Sequence, residues 1–237
     1  MKIAIIGYGK MGKTIEKLAL AAGHKIVLKI NETPTHSQLV DTQPDVAIEF
    51  TKPESAYKNI VQLLKSDIPT VSGTTGWTHL MGDIETKVDR FNGSFIYASN
   101  FSLGVNLFFA MVQNAAKLMK DHPLYSTSIQ ETHHTEKKDA PSGTAITIAE
   151  KIILETNYKS WELRDSPNTK DNIIPIQAFR RENVPGTHVV QFNSDIDSIE
   201  LKHTANSREG FAYGALKAAE YIHDKKGVFT MKDVLGL

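Results

Sequence analysis

Residues 131–144 read Glu-Thr-His-His-Thr-Glu-Lys-Lys-Asp-Ala-Pro-Ser-Gly-Thr. This stretch places His133, His134 and Lys137 just ahead of a Ser142-Gly143-Thr144 turn at which a helix is expected to begin. Imidazole gives or takes a proton near neutral pH, an ammonium holds or protonates an anion, and the N–H groups of a helix start bind carboxylate or phosphate oxygens. Together they suit binding a small acidic molecule and moving protons on it. Read alone, the same residues also fit a polar surface loop with Ser142 as a plain helix cap.

A second signal, at the N-terminus, favours the chemical reading. Ile3 to Ile6 is an apolar run of the kind that forms a buried parallel strand. It leads into Gly7-Tyr8-Gly9-Lys10-Met11-Gly12 and then into a helical pattern through Ile15, Leu18, Ala19 and Ala22. A Gly-x-Gly-x-x-Gly between strand and helix is a dinucleotide fingerprint: a tight turn, a close backbone approach to pyrophosphate, and close helix–strand packing. The helix is expected to stop at Gly23 and a second strand to run from Lys25 to Ile30. An acidic residue often follows such a strand to hold the adenosine ribose. Here Asn31 and Glu32 stand there, which leaves NAD or NADP open.

These segments need a scaffold, and the first half of the chain alternates strand and helix. Strands are expected at Val46–Phe50, Thr70–Ser72 and Phe95–Ala98. Helices are expected from Lys52-Pro53-Glu54 to about Ser66, and from after Gly76 to about Phe91. That pattern is a doubly wound parallel sheet. The strand-end loops at Phe50-Thr51, Gly73-Thr74-Thr75 and Ala98-Ser99-Asn100-Phe101 join the glycine loop as cofactor candidates. Beyond Leu103 the pattern changes: helices at Gly104 to Met119 and Ser142 to Thr156, and strands near Ser126–Gln130, Ile174–Phe179, His188–Phe192 and Ser198–Leu201, with turns such as Val184-Pro185-Gly186 between them. A mixed or antiparallel sheet follows. A last helix, Phe211 to about Lys225, is placed with the first domain.

Composition narrows the function class. The 237 residues carry 27 basic and 27 acidic side chains, so no nucleic-acid or membrane surface is indicated. With no cysteine, disulfides, thiolate catalysis and sulfur metal sites drop out. No signal peptide, transmembrane run or repeat is visible, and a cytoplasmic enzyme is expected. A metal-dependent hydrolase using His133 and His134 is disfavoured. Neighbours on a strand face opposite ways, and no carboxylate is read at metal-ligand spacing. No metal is expected.

The chain resembles the dihydrodipicolinate (4-hydroxy-tetrahydrodipicolinate) reductase family along nearly its whole length. The resemblance rests on the Gly7–Gly12 loop, Asp45 to Pro53, Gly73 to Gly76, Ser99 to Ser102 with Gly104-Val105-Asn106, Glu131 to Ala145, Ser207-Arg208-Glu209-Gly210-Phe211-Ala212, and Gly227 to Leu235. The Glu131–Thr144 string is its most specific part.

What the resemblance implies is as follows. The fold is α/β: a Rossmann-type dinucleotide-binding domain, 1–101 completed by 209–237, and an α+β substrate and oligomerisation domain, 102–208, with a mixed open sheet. The activity is NADH- or NADPH-dependent reduction of a small cyclic dicarboxylate with loss of water, in lysine and diaminopimelate biosynthesis, by a homotetramer. His133 and Lys137 align with the catalytic pair, His134 with a substrate contact, and Gly143 and Thr144 with the turn that holds a substrate carboxylate, next to Ser142. Gly7 to Gly12, Gly73 to Thr75 and Ala98 to Phe101 align with cofactor segments. The family often has Glu-Arg after the second strand, where this chain has Asn31-Glu32. A non-catalytic nucleotide sensor of the same fold is the alternative. It has no need of both His133 and Lys137.

Overall fold

The computed structural model describes residues 1–167, 172–207 and 209–237. Arg208 of the Ser207–Ala212 motif lies outside the described residues. The chain divides into two compact units, Met1–Leu103 with Glu209–Leu237, and Gly104–Arg208.

In the first unit the strands are β1 (Lys2–Ile6), β2 (Lys25–Ile30), β3 (Val46–Glu49), β4 (Thr70–Ser72) and β5 (Ser94–Tyr97). Between them run α1 (Lys10–Ala21), α2 (His36–Thr42), α3 (Pro53–Lys65) and, after a 3-10 turn at Thr78–Leu80, α4 (Met81–Phe91). One further strand comes from the C-terminal end of the chain, so the sheet holds six strands, all parallel, in the order 227–229, β5, β4, β3, β1, β2.

Both faces of this sheet are covered, and the side-chain alternation of strands explains the sequence. Ile3, Ile5, Val46, Ile48, Val71 and Ile96 form one buried face, against Ile15 and Ala19 of α1. Ala4, Ile6 and Ala47 pack on the other face with Leu39 of α2 and Leu63 of α3. α1 presents Gly12, Ile15 and Ala19, one helical stripe, to the sheet. α3 begins with Pro53 in its first turn and Glu54 beside it, and ends on Lys65, an order that suits the helix dipole. Truncating a wholly buried Ile48 to alanine should cost about 2–5 kcal/mol, a large share of an ordinary domain's stability.

The second unit holds α5 (Leu103–Met119, all but its first residue), β6 (Ser126–His133), α6 (Gly143–Glu155), β7 (Ser160–Leu163), β8 (Ile173–Arg180), β9 (Gly186–Asn193) and β10 (Ser198–Ala205). Its five strands lie in the order β10-β9-β6-β8-β7. β9 is antiparallel to β10 and β6, while β8 is parallel to β6 and β7. The sheet is therefore mixed. α5 and α6 bury Phe108, Val112, Ile148 and Ile152 against Ile129, Ile174, Ile176 and Val190.

The chain then returns to the first unit as α7 (Glu209–Ile222), β11 (Gly227–Phe229) and α8 (Met231–Leu235). α7 lays Ala212, Ala215 and Ala219 on the first sheet's core. These small side chains allow close packing, and a Cβ at Gly214 would stand 1.7 Å from the Phe101 carbonyl oxygen.

Several elements differ from the sequence reading. β6 runs to His133 and not to Gln130, because the polar Glu131 and His133 are buried in register with β9 and β8. The Val184-Pro185-Gly186 turn does not close a hairpin: β8 and β9 are separated by β6, to which both pair. α2, β7, β11 and α8 are additional to the expected elements. Among the described residues no helix is long and apolar enough to cross a membrane.

Candidate active site

The first unit carries a cleft of about 350 Å³ lined by Gly9, Lys10, Met11, Phe50, Thr51, Pro53, Gly73, Thr74 and Thr75. These are the residues that follow β1, β3 and β4, at the carboxyl ends of parallel strands, where open α/β sheets bind ligands. Gly7 has φ +99, and a Cβ there would overlap the Phe50 carbonyl oxygen at 1.9 Å. A Cβ at Gly12 would meet the Gly7 carbonyl oxygen at 2.3 Å, which fixes α1 hard against the loop. At Gly9 no protein atom would come within 4 Å of a Cβ, so open space stands over the first turn of α1. That geometry suits a pyrophosphate on a helix start.

Beneath the cleft lies a residue the sequence reading did not single out. Glu49 is fully buried at the end of β3. Its carboxylate accepts hydrogen bonds from Ser72 Oγ at 2.7 Å, Thr74 Oγ1 at 2.9 Å, the Thr51 backbone N–H at 3.1 Å and the Thr51 hydroxyl. A buried carboxylate needs such donors. Here they lock the loops after β3 and β4 to each other. In a short run of apolar strand residues, Glu49 itself was the available signal.

At the end of β2, Asn31 Oδ1 accepts the Tyr8 backbone N–H at 2.6 Å, and both Asn31 and Glu32 are exposed. Lys29 is held at 2.9 Å by Glu16, which also accepts the Tyr8 hydroxyl. The Tyr8 hydroxyl and Lys29 together hold Glu16 below the usual carboxylate range. Phe101 is packed in the core, against Phe50, so only its backbone is left to face a ligand. Asn100 Oδ1 caps the Ser102 N–H at 2.9 Å, with Ser99 exposed and Ala98 half-buried.

The second unit brings together the residues of the His-His segment. Along β6, Glu131 and His133 share one face and His134 begins the loop that follows. Cross-strand pairing sets His188 of β9 opposite Glu131, and Arg180 of β8 opposite His133. The Glu131 carboxylate is fully buried and accepts the Ser142 backbone N–H on both oxygens, at 3.0 and 3.1 Å. Its Oε2 lies 3.5 Å from His133 Nδ1 and 3.8 Å from His188 Nε2, and its Oε1 lies 3.5 Å from an Arg180 guanidinium nitrogen. The two imidazoles meet edge to face, 5.1 Å between centres.

These surroundings set the titration of both rings. Burial lowers the His133 pKa, the Glu131 charge opposes that shift, and the Lys137 and Arg180 charges add to it. Burial, reinforced by His133, His203 and Lys137, pushes His188 down to about 3, so it is a neutral ring at physiological pH.

The loop beyond is pinned by Arg180, whose guanidinium donates to the Lys137 and Asp139 carbonyl oxygens. Lys137 Nζ is held by both oxygens of Asp139. His134 is half-buried, with Nδ1 enclosed. Ser142 caps α6 through Ala145 N–H at 3.2 Å, and its hydroxyl lies 3.3 Å from His188 Nε2. Ser142 thus spends its N–H and hydroxyl inside the protein, whereas Gly143 is exposed, Thr144 is half-buried, and both lie in the first turn, whose N–H groups have no partner within the helix.

One expectation needs correction. The histidines do have a carboxylate at ligand spacing: Glu131, His133 and His188 offer donor atoms within 4.8 Å of one another. The partner of His133 is not His134 but Glu131, two residues back on the same face of β6. Both oxygens of that carboxylate already take the Ser142 N–H, and a guanidinium stands beside it. Its charge is therefore met from within the protein, and we assign no metal.

The family description "Dihydrodipicolinate reductase, N-terminus" matches residues 1–101, and "Dihydrodipicolinate reductase, C-terminus" matches residues 104–235. The chain belongs to the dihydrodipicolinate reductase family. A 4-hydroxy-tetrahydrodipicolinate reductase of Christiangramia forsetii is 50% identical over 236 residues, covering 99% of this chain and 98% of that one. A relative of the same name from Rickettsia bellii is 38% identical, over 95% and 90% of the two chains. The fold matches that of a dipicolinate-bound dihydrodipicolinate reductase from Paenisporosarcina with a TM-score of 0.82, at 22% identity and 97% coverage of each chain. As a dihydrodipicolinate reductase family member, the chain falls among NAD(P)H-dependent oxidoreductases with a Rossmann-like domain.

Proposed function

We propose that this protein reduces 4-hydroxy-tetrahydrodipicolinate to tetrahydrodipicolinate with NADH or NADPH, releasing water, in lysine and diaminopimelate biosynthesis. The observation that carries the reading is family membership over the whole chain, joined to a complete His133, His134, Lys137 and Thr144 set. A non-catalytic sensor would have no use for that set.

The residues that would hold the cofactor are those of the cleft, Gly9–Met11, Phe50, Thr51 and Gly73–Thr75, with the N–H groups at the start of α1 suited to its pyrophosphate. When bound there, the cofactor would supply the hydride that C4 of the substrate ring takes up after water has left. Electron density then moves through the conjugated imine, and an acid must deliver a proton. His133 or Lys137 is that acid, a role worth about two to four orders of magnitude. Lys137, His134 and the N–H groups at Gly143 and Thr144 offset the two carboxylate charges.

We further propose a cytoplasmic homotetramer built through the second unit's sheet, where Leu163, Phe179 and Ile199 are exposed apolar side chains. Sedimentation equilibrium at the mass of four chains supports it, and a monomer mass counts against it. The function itself is tested by following cofactor oxidation with freshly made substrate. Oxidation that depends on the substrate is expected. A folded sample inert with both cofactors would overturn the reading.

A further inference from the structure

Glu131 is a charge without exposure. Its carboxylate is fully buried and reaches four groups: the Ser142 N–H, Arg180, His133 Nδ1 and His188 Nε2. The Ser142 bonds alone would explain a helix anchor, and a neutral side chain could serve for that. They do not explain why the same carboxylate points at His133 Nδ1, a ring nitrogen that is wholly enclosed and has no hydrogen-bond partner. At 3.5 Å the two atoms are a few tenths of an ångström beyond a hydrogen bond, and catalytic hydrogen bonds often tighten only when substrate is bound.

At the other end of the ring the neighbour is a glycine. Gly186 opens β9 beside His133 Nε2, where a Cβ would press to 3.1 Å from that nitrogen and 3.3 Å from Cδ2. His188 closes off the ring's flank and, being neutral, adds no competing charge.

We propose that Glu131 is a positioning residue for the reaction: its buried carboxylate holds His133 with a proton on Nδ1 and leaves Nε2 as the atom that exchanges a proton with substrate. This rests on the reading of His133 as the proton donor. In the donor state both ring nitrogens carry protons. Nε2–H passes its proton to the reduced ring, the electron pair of that N–H bond stays on Nε2, and the imidazole is left neutral with Nδ1–H facing Glu131. The same carboxylate carries the helix start at Ser142, so the proton donor and the carboxylate-binding turn at Gly143-Thr144 share one anchor.

The groups facing His133 are Glu131 on its own strand, His188 on β9, Arg180 on β8, and Lys137 and Asp139 in the loop. Of the two acidic groups among them, Glu131 contributes more to favouring the charged ring.

The test has two arms. In wild-type protein, long-range nitrogen–proton correlation spectra report the tautomer of the neutral ring without any need for turnover. His133 protonated on Nδ1 is expected, and a ring protonated on Nε2 alone would overturn the proposal. In the second arm, Glu131→Gln keeps an oxygen for the Ser142 N–H but removes the charge. It should lower kcat by about ten- to a hundred-fold, within the full effect of a general acid, leave the KM for NADH unchanged, and move the His133 titration to lower pH. A variant that only melts earlier, with kcat and the His133 titration unmoved, would show Glu131 to be a helix anchor alone. Wild type that shows the Nδ1 tautomer but no turnover would overturn the reductase reading and with it the catalytic role of Glu131, while Glu131 would still be shown to hold the His133 tautomer.

Discussion

Lys137 Nζ sits 2.8 Å from each oxygen of Asp139, two residues further along the chain. In this arrangement the ammonium that should meet a substrate carboxylate already holds a carboxylate of its own. Asp139 is 59% exposed, so the pair is worth about 0–1 kcal/mol. Asp139→Asn should therefore tighten binding of pyridine-2,6-dicarboxylate, by at most about five-fold. Titration calorimetry of the two proteins checks this. Weaker binding in the variant would mean that Asp139 orients Lys137 rather than competing for it.

The roles of the two proton-bearing residues separate in kinetics. His133→Gln and Lys137→Met should each lower kcat by about two to four orders of magnitude. The apparent Kd for cofactor should stay close to wild type, because both residues belong to the second unit and not to the glycine-loop cleft. If one variant retains near-normal turnover, that residue is not the acid, and His134 takes its place as the candidate.

Burial of His188 sets a stability trend with acid. Its folded pKa is pushed down to about 3, chiefly by burial, while in the unfolded chain it lies near about 6.5. Above the unfolded value both states are neutral and nothing is lost. As pH falls below it the unfolded chain takes up a proton that the folded one refuses, so stability declines by up to about 1.4 kcal/mol per pH unit until the folded pKa is reached. His188→Gln should flatten that decline between roughly pH 6 and pH 4. Urea midpoints of both proteins across this range are the measurement, and parallel slopes would show that His188 is not what the unfolded state protonates.

The parallel sheet was legible because its strands are short apolar runs followed by glycine or hydroxyl residues, as at Ile3–Gly7 and Thr70–Gly73. Local signals also marked the glycine loop and the Ser142 cap. α2 escaped although Thr35 and Gln38 form a capping box, since seven residues with one buried leucine carry little periodicity. β7 and β11 escaped because their side chains are exposed or half-buried and show no apolar run. Within the site, His133 and Lys137 stood out by residue type. Glu131, Arg180 and His188 did not, because what joins them is the register of β6 between β8 and β9, a relation between distant segments. Glu49 was hidden in the same way: its partners Ser72 and Thr74 come from the next strand and the loop after it.

The exposed end of β2 carries a prediction on cofactor choice. Lys29, next to the end of β2, is taken by Glu16 and is not free to meet a 2′-phosphate. Asn31 is neutral, and Glu32 stands exposed where the family often has arginine. The protein should use both cofactors, with NADH at least as good as NADPH, and Glu32→Arg should raise kcat/KM for NADPH relative to NADH. A strong wild-type preference for NADPH that the substitution leaves unchanged would show that Glu32 does not face the ribose.

The most direct measurement supplies 4-hydroxy-tetrahydrodipicolinate with cofactor deuterated at the transferable position of the nicotinamide, and follows the label by mass spectrometry and NMR. The expected result is one deuterium at C4 of the tetrahydrodipicolinate ring for each cofactor oxidised, with His133→Gln slowing the transfer by about two to four orders of magnitude. Cofactor oxidised without label in the ring, or labelled product formed at the wild-type rate by both His133→Gln and Lys137→Met, would contradict it.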